Sequence, residues 1–115
     1  MKPFLREYTN DEKLMEDVKK IKEEGIDKNH VYVLSHDDDR TERIAKNAGA
    51  NTIGFSEQDF KSAVGNLFSK KGDELRTKLQ EIGFSEHEAE TYEEDMDEGK
   101  VLLIVTDDKA SRLFA

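Results

Sequence analysis

The chain has 115 residues, 39% of them charged, and its formal net charge at pH 7 is −9. A chain of this length suits one domain, and we assign residues 1–115 to a single domain. The negative charge repels phosphate backbones and anionic membranes, so neither nucleic acid nor a membrane is an expected partner. The chain has no cysteine, which excludes disulfides, thiolate catalysis and cysteine-based zinc sites.

We expect a cytoplasmic protein. The N-terminal segment "MKPFLREYTNDEK" lacks the apolar stretch of a secretory signal peptide. No window of the sequence approaches the ~20 consecutive apolar residues that a membrane-spanning helix needs.

Predicted strands and helices alternate from the N-terminus onward. Residues 3–8 are predicted to form a partly buried strand. Thr9 is the predicted N-cap of the helix that follows, with Glu12 completing a capping box and Gly25 ending the helix. The segment "HVYVL" (30–34) is rich in β-branched and aromatic residues and predicts a second strand.

A short helix and a short strand are predicted next. Asp39 has the position of an N-cap, Glu42 completes a second capping box, and Gly49 closes the helix. Residues 51–55 predict a third strand, although Gly54 lies within it.

Ser56 is the predicted N-cap of a third helix. Its apolar stripe comprises Phe60, Val64, Leu67 and Phe68. Two alternatives remain open at Gly72. Either the glycine separates this helix from a new one, or a single helix continues to Ile82, because an interior glycine costs only ~1 kcal/mol.

A last helix precedes the most apolar segment of the chain. Ser85 is its predicted N-cap, Glu88 completes the capping box and Gly99 ends the helix. The segment "VLLIV" (101–105) shows no alternation of apolar and polar residues, which is typical of a strand buried on both faces. We therefore place it centrally in the sheet.

These elements follow the order β-α-β-α-β-α-α-β. This order predicts an α/β fold in which helices pack on a small mixed sheet of three or four strands. We expect the last strand to lie between the first two.

Two acidic turns follow predicted strands and are the candidate cation site. Their candidate ligands are His36, Asp37, Asp38, Asp107 and Asp108. Carboxylates suit Mg²⁺ and Ca²⁺, but the turns meet only if the strands that precede them are parallel neighbours. In an antiparallel arrangement they lie at opposite ends of the sheet. Alternatively, Asp39 caps a helix and the adjacent carboxylates interact with its dipole.

No motif predicts catalysis. The chain has no nucleophile elbow, P-loop or G-x-G-x-x-G motif, and His30, His36 and His87 lack a metal-ligand spacing. We therefore assign no catalytic residue and no cofactor. The basic stretch 69–78 and the acidic run 93–98 are interpreted as solvated helix faces.

Three segments carry a resemblance to a known family. They are "VYVLSHDDDRTERIAKNAGANTIGF", "AVGNLFSKKGDELRTKL" and "GFSEHEAETYEEDMDEGKVLLIV". In combination they resemble the YflT-type general stress proteins, small heat- or stress-induced proteins chiefly of Bacillus-like Gram-positive bacteria. The resemblance implies a cytoplasmic protein made under stress, and it assigns no catalytic residue.

From the resemblance and the missing catalytic motifs we predict a non-enzymatic stress protein that acts through protein contacts or self-association. The alternative is a domain that binds a divalent cation or a small ligand through the acidic turn at 36–39.

Overall fold

The computed structural model of the chain describes residues 3–36, 64, 66–69 and 73–114. The predicted helix from Asp39, the predicted strand at 51–55 and the predicted cap at Ser56 lie outside the described residues. The strands are β1 (Phe4–Tyr8), β2 (Val31–Ser35), β3 (Asn66–Ser69) and β4 (Val101–Val105). The helices are α1 (Asp11–Glu23), α2 (Asp73–Ile82), α3 (Glu86–Asp97) and α4 (Lys109–Leu113), with a 3₁₀ turn at Lys28–His30.

The four strands form one mixed sheet in the order β1-β4-β2-β3. Strand β4 is antiparallel to both of its neighbours, and its Val105 lies opposite Phe4 on one side and Val31 on the other. Strand β3 is parallel to β2. The prediction of a mixed sheet with the last strand between the first two is therefore confirmed.

Helices cover both faces of this sheet. On the first face, α1 contributes Leu14, Met15, Val18 and Ile21 to a core that includes Val31, Val33, Val101, Leu103 and Val105. On the second face, α2 and α3 contribute Leu75, Leu79, Ala89 and Met96 to a core that includes Leu34, Leu102 and Ile104. All five residues of β4 are buried, because their side chains point alternately into the two cores on either side of the sheet. Each such side chain contributes roughly 1.5–3 kcal/mol through burial.

The helix ends follow the sequence signals, with one correction. The N-cap of α1 is Asn10 rather than Thr9, since Asn10 Oδ1 accepts the backbone N–H of Glu12 at 2.9 Å. Asparagine is also among the strongest N-cap residues. The predicted capping box of α3 is confirmed, with Ser85 and Glu88 each accepting the backbone N–H of the other, at 3.1 and 3.0 Å.

The predicted helical stripe through Leu67 and Phe68 is wrong. Residues Asn66–Ser69 form β3, which pairs with β2 from Tyr32 opposite Asn66 to Ser35 opposite Ser69. Periodicity alone does not separate a short apolar strand from a helical segment, and here pairing with β2 decides. Because α2 begins only at Asp73, the alternative of one continuous helix through Gly72 is also wrong.

Helix α4 is an element that the sequence patterns did not predict. It follows β4 directly, and its Ala110 is buried in the first core. Phe114, which follows the helix, stacks on Phe4 of β1 with 5.2 Å between ring centroids. Among the described helices, none has the length and apolar character needed to span a membrane.

Candidate functional site

The two acidic turns lie at opposite ends of the sheet. Because β4 is antiparallel to β2, Val105 lies opposite Val31 at the beginning of β2, whereas His36 follows the end of β2. Asp107 and Asp108 therefore do not meet His36. Asp37 and Asp38 lie outside the described residues, so a cation site in the first turn alone stays a prediction. Within the described ranges, no group of three or more histidine or acidic side chains is arranged to hold a metal ion.

The second acidic turn closes the end of the sheet at which β2 begins. The backbone N–H of Thr106 donates to the carbonyl of His30 at 2.9 Å, and His30 Nδ1 lies 2.9 Å from Thr106 Oγ1. Asp107 Oδ1 accepts the backbone N–H of Lys109 at 2.9 Å. Asp108 precedes α4 without a side-chain capping bond. These contacts give Thr106 and Asp107 a structural role in joining β4 to α4.

The first turn brings His36 to two charged side chains that the sequence patterns did not assign. His36 Nε2 lies 3.3 Å from Glu93 Oε1 of α3, and the two side chains are 19% and 14% exposed. Glu93 Oε2 lies 3.8 Å from Arg76 Nη1 of α2, and Arg76 also contacts Asp73. We call His36, Arg76 and Glu93 the His36 cluster.

The geometry within the His36 cluster is not that of an ordinary hydrogen bond. His36 Nε2 is buried and has no hydrogen-bond partner among the described residues, although Glu93 is close enough for an ion pair. Typical N–H···O distances are about 2.7–3.2 Å, and the observed separation is slightly longer. The imidazole and the carboxylate are thus held side by side without a directed bond.

Helical spacing is the sequence signal that could have found Glu93. The residue lies four positions after Ala89 and three before Met96, and both of these are buried. A residue at such spacing shares the inward face of the helix, so a carboxylate there needs a polar partner. The interpretation of residues 93–98 as a solvated face is therefore wrong for Glu93, whose side chain is largely buried.

A second buried polar group joins α1 to β1. Asp17 is 1% exposed, and its Oδ2 accepts a short hydrogen bond from the Tyr8 hydroxyl. Arg6 Nη1 lies 3.4 Å from the same oxygen, and Lys20 Nζ lies 4.0 Å from Oδ1. Burial first, and the neighbouring Asp17 carboxylate second, raise the pKa of Tyr8 well above its usual value. The phenol therefore remains a hydrogen-bond donor to Asp17, and the contact is structural.

A carboxyl pair joins β1 to α3 on the other face of the sheet. Burial, followed by a hydrogen bond and charge repulsion from Asp95, raises the pKa of Glu7. Lys100 Nζ, 3.9 Å from Glu7 Oε2, acts in the opposite direction on this pKa. The contact with Asp95 therefore favours the protonated form of Glu7.

The outer face of α3 carries a stripe of acidic side chains. The exposed members, which we call the acidic face, are Glu86, Glu90, Glu94, Asp97 and Glu98. Residues 86–99 contain no lysine or arginine. This face is the most strongly charged of the described helix surfaces, since α1 and α2 carry intrahelical ion pairs such as Lys13–Glu16 and Lys78–Glu81.

Comparison with known proteins identifies the family. The family described as "Heat induced stress protein YflT domain" matches residues 3–99. The chain belongs to this family. General stress protein 17M of Bacillus subtilis (strain 168) is 61% identical over 115 residues, which is the whole of both chains. No solved structure matches the chain significantly. The resemblance inferred from three sequence segments is thus confirmed: this is a heat-induced, general stress protein of the YflT family.

The YflT match extends from β1 to the end of α3 and stops before β4. The sheet nevertheless depends on β4, because β1 and β2 each pair with it and not with each other. The YflT domain of this chain therefore includes structure beyond the matched span. The family name refers to heat induction and not to a reaction. A biochemical function therefore has to be inferred from the surfaces and clusters of this chain.

Proposed function

We propose that this stress protein is not an enzyme, and that it acts in the cytoplasm by binding a protein with a positively charged surface. The main support for this proposal is the acidic face of α3. Its five carboxylates are exposed, and the helix contains no lysine or arginine that could neutralise them.

The acidic face lowers the stability of the free protein. Glu86 and Glu90, Glu90 and Glu94, and Glu94 and Glu98 are like-charged neighbours at i,i+4 spacing. Each such pair destabilises a helix by ~0.2–0.5 kcal/mol, so the three together cost about 1 kcal/mol. Asp97 also lies at the negative end of the helix dipole, where cations are favoured. A cationic partner would offset both effects on binding.

The charge also favours a different protein over a second copy as the partner. The whole chain carries a net charge of −9, and two copies facing each other through α3 would repel. Complementary charge across an interface raises the association rate and makes it dependent on salt. We therefore expect a weak, fast and salt-sensitive contact with a basic protein surface. Self-association remains an outcome that the experiment has to test.

Charge reversal on the acidic face separates a binding role from a merely solvated surface. The test protein is the double variant Glu90→Lys/Glu94→Lys. The matched control, Glu12→Lys/Glu23→Lys, reverses two exposed charges on α1 and therefore has the same net charge as the test protein. The α3 variant converts the 86/90 and 94/98 pairs into opposite charges and leaves a like-charge Lys–Lys pair at 90/94. The net change should raise the unfolding free energy of the α3 variant by about 0.5–1 kcal/mol. Chemical denaturation of all three proteins measures this effect.

Binding is measured by affinity capture from extracts of heat-stressed cells at low and high salt. Wild type and the α1 control should retain the same basic protein at low salt and lose it at high salt, whereas the α3 variant should not retain it. Equal retention by all three proteins would refute the proposal. Light scattering of the purified wild type tests self-association: a dimer that the α3 variant loses would replace the basic partner with a second copy.

Cellular location needs its own measurement. Fractionation of heat-stressed cells with an antibody against this chain should place it in the cytoplasmic fraction. Recovery in another fraction would contradict that part of the proposal.

A further inference from the structure

We infer that the outer edge of β1 binds an extended basic segment of another protein, which adds to the sheet as an antiparallel strand. This inference rests on the proposed function, since the segment belongs to the basic partner, and it adds a mode of binding that the acidic face alone does not define. Its support comes from the direction of the backbone groups of β1, from the charges on this strand and from the contact of β1 with α3.

Strand β1 lies at one end of the described sheet and pairs with β4 alone among the described strands. The backbone N–H of Thr106 donates to His30 on the β2 side, so Val105 and every second residue before it direct their backbone groups to β1. Their partners in β1 are Phe4, Arg6 and Tyr8. Leu5 and Glu7 therefore direct their N–H groups and carbonyls away from β4, and we call these four backbone groups the β1 edge.

The residues around the β1 edge are those of a strand that faces solvent. Arg6 and Glu7 are exposed. Pro3 precedes the strand by one residue and belongs to the same outward series, and a proline, which has no N–H, is typical of edge strands. The N–H and C=O groups of an edge strand form a template for pairing with another chain. Main-chain hydrogen bonds then supply the affinity.

The sequence of β1 disfavours a second copy as the added strand. A symmetric antiparallel pair that uses the whole β1 edge places Leu5 opposite Glu7 of the other copy, and it places Arg6 opposite the same arginine of the other copy. Such arginines form a non-hydrogen-bonded pair, in which the Cα atoms lie only about 4.5 Å apart. Like charges directly opposite each other destabilise the pairing, so the added strand comes from a different protein.

The charges on the α3 side of β1 select a basic segment. Burial, then Asp95 and then Glu98 raise the pKa of Glu7, whereas Lys100 lowers it. Lys100 Nζ lies 3.9 Å from Glu7 Oε2. Three carboxylates thus lie near one ammonium group in this part of the described structure. A lysine or arginine opposite Glu7 on the added strand would offset the excess negative charge, and opposite charges across two strands stabilise a sheet.

The α1 side of β1 needs no charged partner. Arg6 Nη1 lies 3.4 Å from Asp17 Oδ2, and the guanidinium lies over the ring of Phe114. Since successive side chains of a strand point to opposite faces, the segment that fits has basic residues at alternate positions and neutral residues between them.

Peptides of one sequence that differ only in backbone hydrogen bonding test this mode of binding. The probe is a blocked octapeptide of alternating threonine and lysine. When a lysine lies opposite Glu7 in an antiparallel strand, the lysine N–H groups point to β1 and the threonine N–H groups point to solvent. N-methylation of the lysines should therefore weaken binding to the full-length protein by at least about tenfold. N-methylation of the threonines is the matched control and should leave binding unchanged.

NMR titration at low salt measures the three affinities and locates the contact. The amide protons of Leu5 and Glu7 should exchange more slowly with solvent when the unmodified peptide is bound, whereas that of Arg6, which already bonds to β4, should change little. The inference is overturned if the unmodified peptide does not bind, if all three peptides bind equally, or if exchange at Leu5 and Glu7 is unchanged. Each of these results leaves the proposed function standing, because capture with the α3 variant tests that function separately.

Charge reversal at Glu7 tests the choice of a basic segment. Glu7→Lys should weaken binding of the unmodified peptide by roughly 2–10-fold. The matched control is Glu12→Lys, which has the same net charge and reverses an exposed residue of α1, and it should bind as wild type does. Equal weakening in both variants would assign binding to net charge and not to β1. Thermal melting shows that each variant is folded, and Glu7→Gln replaces Glu7→Lys in the test if the lysine variant is not.

Discussion

The contact between Tyr8 and Asp17 makes a prediction that stability measurements can test directly. Tyr8→Phe removes only the hydroxyl that donates to Asp17 Oδ2. The ring should keep its place, since Tyr8 is 5% exposed and packed in the first core. The substitution leaves a carboxylate that is 1% exposed with a weaker set of partners.

The expected cost follows from the charge and burial of Asp17. A hydrogen bond to a charged group contributes about 1.5–3 kcal/mol. Arg6 at 3.4 Å and Lys20 at 4.0 Å remain near the carboxylate and keep the loss toward the lower end. We expect Tyr8→Phe to lower the unfolding free energy by about 2 kcal/mol, which corresponds to a fall in melting temperature of roughly 8 °C for a domain of this size.

The dependence of stability on pH supplies a second observable. Because the pKa of Tyr8 is raised in the folded protein, the unfolded chain loses the phenolic proton before the folded chain does. The contribution of Tyr8 to stability is therefore fully present below about pH 10, the usual pKa of tyrosine, and falls as the pH rises beyond it. In the Tyr8→Phe variant this part of the alkaline loss should be absent.

Urea unfolding at pH 7 and at several alkaline pH values measures both effects. Tyr32→Phe is the matched control, because Tyr32 is only partly buried and lies on the opposite face of the sheet. A cost below about 0.5 kcal/mol for Tyr8→Phe, or the same alkaline slope in this variant as in wild type, would refute the role given to this contact.

Three further substitutions test other parts of the fold. Glu7→Gln mimics the protonated carboxyl group beside Asp95. Because the pKa of Glu7 is raised, the protonated Glu7 side chain stabilises the fold at acid pH, and this contribution is lost as the pH rises through that pKa. The glutamine variant should therefore be more stable than wild type at neutral pH in urea unfolding. Phe114→Ala removes an aromatic stack on β1 and a cation–π contact with Arg6 at 5.5 Å, and should cost about 1–2 kcal/mol in the same assay; an unchanged midpoint would contradict it. Gly83→Ala places a side chain at φ +133° and should lower the melting temperature by an amount equivalent to more than about 1 kcal/mol, whereas wild-type melting would show that the turn relaxes.

The hydrophobic pattern of the sequence was sufficient to predict the sheet's centre. "VLLIV" lacks alternation because both of its faces are covered, by α1 on one side and by α2 and α3 on the other. The capping box of α3 was also predictable, because it depends on two side chains three residues apart. Both features depend on residues close together in the sequence, one on a continuous apolar run and the other on a fixed three-residue spacing.

Strand β3 could not be predicted in the same way. Leu67 and Phe68 fit a helical stripe with earlier apolar residues, and nothing in their immediate neighbourhood distinguishes that pattern from a four-residue strand. What decides is hydrogen bonding to β2, more than 30 residues away in the sequence. Intrinsic strand preference is weak and depends on context, so such a segment is assigned only by its partner.

The direction of β4 follows from the number of helices that precede it. A single helix between two strands reverses the chain once and leaves the strands parallel, as in a βαβ unit. Two helices of similar length reverse it twice. Helix α2 has 10 residues and α3 has 12, which are about 15 and 18 Å long, so the chain returns to the end of the sheet from which α2 started. Strand β4 then has to run antiparallel to β2 and β3.

The same double reversal explains the composition of the His36 cluster. It directs Asp107 and Asp108 to the far end of the sheet, because β4 leaves from the side at which β2 ends. It also returns the C-terminal half of α3 to that side, where Leu102 lies opposite Leu34 and Glu93 reaches His36. Arg76, near the start of α2, is brought to the same place. The carboxylate that joins the first acidic turn thus comes from the returning helix and not from the second acidic turn.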